Sequence, residues 1–127
     1  MKVLQPPNWP QPKGYSNGIS AKGTMVFVAG MVGWNEKEHF ETSDFSEQAR
    51  QALKNIVTVL NEAGARPEHI TRMTWYLVDL DEYKAALKSL GKIYQEEIGK
   101  VFPAMTGIQV AGLVEDEAKL EIEVTAV

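Results

Sequence analysis

The 127-residue chain contains no cysteine, which rules out disulfides, thiolate nucleophiles and cysteine-ligated zinc. It has only two histidines, His39 and His69, and neither stands at a metal-ligand spacing from the other or from a carboxylate pair. Metal sites need convergent ligands, so both read as solvated loop residues and no metal is expected. Basic tracts are missing, and the net charge is −4. That argues against a nucleic-acid surface, which needs clustered Lys and Arg, although a local basic groove remains compatible. No run approaches the roughly 20 apolar residues of a spanning helix. The opening MKVLQPPNWPQPKGY has no apolar stretch either, so no signal peptide, no membrane anchor and a cytoplasmic location are expected. Gly-x-Ser-x-Gly, P-loop and Gly-x-Gly-x-x-Gly patterns are absent, leaving serine hydrolase, nucleotide hydrolase and dinucleotide-binding readings without support.

What is present is ordinary for one globular domain: 44% hydrophobic and 24% charged residues over 1–127, long enough to bury a core. Four of the six prolines fall within residues 1–13, which predicts an extended leading segment. YSNGIS and TMVFVAGMV read as two strands joined by a short hairpin loop, Ala21-Lys22-Gly23. Asp44, with Glu47 three residues on, predicts a helix start. Ala49, Leu53, Ile56, Leu60 and Ala63 then recur at helical spacing, and Gly64 ends the helix. Ile70 to Val78 is rich in Thr, Trp, Tyr and Val, a strand signature. Asp79 and Glu82 repeat the capping pattern for a second helix, striped by Tyr83, Leu87, Leu90, Ile93 and Tyr94 and stopped by Gly99; Gly91 inside it suggests close packing on a sheet. A strand around Thr106, Ile108 and Val110 follows, and KLEIEVTAV alternates cleanly to the end. The order is β-β-α-β-α-β-β: an α+β domain with a mixed sheet covered by two helices on one face, its other face left for packing between subunits.

Few side chains suggest chemistry by themselves. Glu121 and Glu123 are two apart on a strand, so they share one face about 7 Å from each other. They fit a plain solvent face or a carboxylate that positions water. Trp9 and Trp34 lie in loops, where an indole is expected to cover a core edge or line a pocket. Tyr15 is a strand aromatic or a pocket hydroxyl.

Six stretches stand in a familiar order. They are Lys13-Gly14-Tyr15-Ser16, Val26 to Met31 (VFVAGM), QARQALKNIVTVLNEAGA from Gln48 to Ala65, ITRMTWYLVDLDEY, FPAMT and LEIEVTA. Together they resemble the Rid family (YjgF/RidA-like proteins, older label endoribonuclease L-PSP). The resemblance implies a chorismate-mutase-like fold and a homotrimer with three clefts between subunits. It also implies cofactor-free hydrolysis of reactive enamines or imines to a keto acid and ammonia. It assigns Glu121 to positioning water or a proton, and Tyr15, Gly30, Met31, Trp34, Met105 and Thr106 to the substrate. Deaminating members carry an arginine in PARS that grips the substrate carboxylate; here the motif is PAMT and Met105 takes that position. A thioether cannot replace a bidentate guanidinium, so a different substrate is expected, apolar or aromatic, with Arg72 as a candidate substitute clamp. A non-catalytic ligand-binding or regulatory trimer is the alternative. RNA cleavage, the older label's activity, is least supported by the acidic balance.

Overall fold

The computed structural model describes all of residues 1–127. Its core is a four-stranded mixed sheet in the order β3 (Val26–Met31), β6 (Leu120–Ala126), β4 (Ile70–Leu77), β5 (Ala104–Gln109). β6 runs antiparallel to both neighbours, and β4 and β5 are parallel. Helices α1 (Phe45–Glu62), α2 (Leu80–Ala85) and α3 (Leu87–Glu97) complete the chain, and a two-residue ribbon, β1 (Lys2–Val3) with β2 (Ile19–Ser20), opens it. The parallel pair requires a crossover, which α2 and α3 supply.

The α+β architecture follows from the two periodicities. Ala49, Ala52, Leu53, Ile56 and Leu60 of α1 are fully buried against Met73 and Leu77 of β4 and Leu120 and Ile122 of β6. β6 alternates as its sequence predicts, with Leu120, Ile122, Val124 and Ala126 buried and Glu121, Glu123 and Thr125 on the other face. Both helix starts are capped as expected: Asp44 accepts the Glu47 N–H at 3.0 Å, and Asp79 accepts those of Asp81 and Glu82. Removing such a cap costs about 1 kcal/mol.

Four local expectations are corrected. Residues 15–20 form no hairpin with β3. Ser16 instead bonds to the far edge of the sheet, its N–H donating to Pro103 O at 3.0 Å and its hydroxyl to Phe102 O. Ile19–Ser20 is then left to pair with Lys2–Val3. The second helix is two helices, because at Ala86 (φ −96°, ψ 1°) the N–H is shared between the carbonyls of Glu82 and Tyr83. Gly91 does not mark close packing, since nothing lies within 4 Å of where its Cβ would stand. Trp9 covers no core edge and is 59% exposed.

Candidate functional site

A cavity of about 630 Å³ opens on the helix side of the sheet at its β5 edge. Three connections shape it. Gly14 (φ 82°) turns the chain so that Tyr15 reaches the cavity while Ser16 is tied to β5. The Tyr94 hydroxyl donates to Val101 O at 2.7 Å and holds the segment between α3 and β5, which Gly99 (φ 97°) redirects. Burial raises the Tyr94 phenol pKa well above 10. Trp75 forms part of the wall and meets Tyr83 edge-on at 6.4 Å.

Met105 lies in this wall, partly buried, and also packs against the core, so it is both filler and lining. Its register partner on β4 is the buried Met73. Thr106, one residue on, pairs with Thr74 and is exposed on the opposite face. The two expected substrate contacts are therefore separated by the thickness of the sheet.

Gly30 and Glu121 meet elsewhere. The β3–β6 pairing shifts register between Val28 and Met31, and this irregularity brings Gly30 under Glu121. A Cβ on Gly30 would overlap the carboxylate, coming within 2.7 Å of Glu121 Cδ. The two glutamates of β6 differ in engagement. Glu123 accepts a hydrogen bond from the Tyr76 hydroxyl, an interaction that raises the Tyr76 pKa, whereas Glu121 receives no hydrogen bond from the chain. Arg72 is exposed on the open face in a shallow depression with Phe27, Glu123 and Thr125, on the other side of the sheet from the Met105 cavity. Trp34 is half-buried and packs on Phe40 at 5.8 Å; Met31 ends β3, half-buried. Within one chain, then, only Tyr15 with Met105 and Gly30 with Glu121 come together.

Sequence reasoning missed several residues. Lys13 and Lys100 line the cavity, and only the fold brings residues so far apart in the chain to one opening. Buried Gln48 donates from Nε2 to Thr42 O and Glu117 O and accepts the Lys119 N–H. Asn55 holds the carbonyls of Val32 and Trp34. Both lie in the α1 stretch that carries the family resemblance, and their fixed hydrogen bonds explain why amides stand beside its apolar stripe. No three His, Asp or Glu side chains converge as metal ligands, and no helix is long and apolar enough to cross a membrane.

The sequence matches the family model described as endoribonuclease L-PSP over residues 8–127. A 2-iminobutanoate/2-iminopropanoate deaminase of Salmonella typhimurium is 32% identical, the match covering 99% of this chain and 97% of that protein. Among solved structures, the Rid-family protein YyfB of Yersinia pestis, of unknown function, superposes with a TM-score of 0.85 at 31% identity, over 98% of this chain and 96% of its own. Escherichia coli TdcF, solved with bound serine, gives a TM-score of 0.72 at 29% identity, over 100% and 98%.

Proposed function

Because this chain belongs to the endoribonuclease L-PSP family, also called the Rid family, we propose that it hydrolyses a reactive imine or enamine to a carbonyl compound and ammonia, in clefts between the subunits of a homotrimer. The observation that carries this reading is the division of the site into two halves. Tyr15 and Met105 wall the cavity at the β5 edge, while Glu121 sits over Gly30 between β3 and β6. A neighbouring copy that brings its Glu121 to this cavity completes the set. Full-length similarity to a named imine deaminase supports the reaction class.

The chemistry needs little. An imine carbon is already electrophilic, and an enamine reaches the same state once its β-carbon is protonated. Glu121 takes a proton from water as the oxygen attacks the imine carbon. The tetrahedral carbinolamine then receives a proton on nitrogen, the C–N bond breaks, and ammonia leaves as the C=O bond forms. The sum is R₂C=NH + H₂O → R₂C=O + NH₃, with no oxidant or reductant. Glu121 suits the role better than Glu123, whose carboxylate is occupied by Tyr76.

The methionine at position 105 favours a second reading, a ligand-binding trimer without turnover, because the cavity wall offers no guanidinium to orient a carboxylate. One assay separates the two. Imines are generated in situ from several amino acids by an amino-acid oxidase, and the surviving imine is trapped with semicarbazide. Accelerated clearance is expected, and Glu121→Gln should slow it by roughly 10²–10⁴-fold, the usual worth of a positioned base. If no imine is cleared faster than in buffer, the hydrolytic reading fails.

A further inference from the structure

We propose that Lys100 and Lys13 form an anion clamp at the mouth of the cavity, replacing the missing guanidinium, and that the ligand is an aromatic carboxylate. As a substrate this is the imine of an aromatic amino acid, an assignment that rests on the hydrolytic reading; as a bound molecule it does not. Three observations converge. The lining residues include both lysines and no Asp or Glu, and neither lysine takes part in an ion pair. The body of the cavity is built from rings and apolar chains, among them Tyr15, Trp75 and Phe102, so only an anionic head on a planar apolar body complements it throughout. Its volume of about 630 Å³ lies within the range of small-molecule pockets and far exceeds what a three-carbon acid would fill.

Two details make the clamp specific to this chain. Lys100 follows Gly99 on the segment that Tyr94 fastens through Val101, so its backbone is held before any ligand arrives. An ammonium is a compact point charge with three rotatable donors and tolerates more ligand orientations than a guanidinium fork. The room itself comes from Gly91, which lines the cavity on α3 and has no atom near its missing Cβ.

Phenylpyruvate is the probe, with pyruvate as the aliphatic control, titrated calorimetrically into the full-length protein. Phenylpyruvate should bind at least tenfold more tightly than pyruvate. Lys13→Ala/Lys100→Ala should weaken it at least tenfold, with a salt dependence smaller than that of the parent protein. Gly91→Leu should abolish binding while the melting temperature holds or rises, because leucine is a better helix former than glycine; this separates a filled cavity from a damaged fold. Equal affinity for the two acids, or undiminished binding by the double lysine variant, would overturn the proposal. The oxidase assay runs in parallel with phenylalanine and alanine imines. Binding without clearance of either would sink hydrolysis and leave the aromatic clamp standing. Clearance of the alanine imine alone, without phenylpyruvate binding, would do the reverse.

Discussion

At the scale of single residues, two glycines three positions apart in the chain, Gly30 and Gly33, give opposite expectations. At Gly30 the obstacle to a methyl group is the flexible end of Glu121; at Gly33 it is the α1 backbone itself, with Gln48 O at 2.5 Å and Gln48 Cα at 2.7 Å. A side chain can swing aside, whereas a helix cannot without losing its packing. Gly33→Ala should therefore destabilise the fold by about 3 kcal/mol, at the upper end of overpacking costs. Gly30→Ala should melt within a few degrees of the parent yet lose roughly 10²-fold in imine clearance, because the displaced carboxylate no longer points where water must be held. Denaturant melts and the semicarbazide assay read the two effects separately; a Gly30→Ala protein with unchanged turnover would remove Glu121 from the mechanism. Strand alternation places Glu121 and Glu123 on one face by parity, and the family resemblance picks out Glu121 between them. Gly33 could not be singled out in the sequence, since what surrounds it is a helix turn 15 positions later in the chain.

At the scale of elements, strongly periodic segments were legible and connections were not. α1 and β6 form where their patterns require, each with one continuous apolar face. The expected hairpin failed because its turn residues are a local signal, whereas Ser16 is captured by Phe102, 86 residues away. The single helix expected after Asp79 failed for a related reason: its apolar stripe does not stay in phase through Ala86, and Leu87, placed in that stripe, is half-exposed beside the cavity. The segment that closes the cavity depends on Tyr94, and its behaviour with pH tests that dependence. Burial raises the Tyr94 phenol pKa above its ordinary 10, so the folded chain keeps the proton after the unfolded chain has lost it. This contribution is complete below pH 10 and declines as pH rises past that value. Tyr94→Phe should cost about 1 kcal/mol at neutral pH, the worth of the bond to Val101 O, and should make the alkaline loss of stability shallower. An alkaline limb as steep as the parent's would mean that another group governs it.

At the scale of the whole molecule, the surface exceeds that expected of a monomer of this mass. A folded monomer of 14.1 kDa is expected to expose about 6,700 Å². This chain exposes 7899 Å², and the sheet face that carries no helix presents apolar side chains, with Phe27 70% exposed and Ile108 49%. Such a face is expected to be covered by other copies. Phe27→Asp, which puts a charge on that face, should convert the proposed trimer into monomers by sedimentation. It should abolish imine clearance, since no neighbour then delivers Glu121, while phenylpyruvate still binds the cavity of the single chain. Subunit mixing tests the same arrangement without disturbing the interface. Glu121→Gln and Tyr15→Ala should each be inactive as homotrimers. When equal amounts are unfolded and refolded together, a cleft works only if one copy supplies Tyr15 and the next supplies Glu121. With random assembly around a head-to-tail ring that condition is met in about a quarter of clefts, so about a quarter of parental activity should return. No recovery from a mixture that has demonstrably co-assembled would place both residues in the same subunit's site, and the division into two half-sites would be wrong.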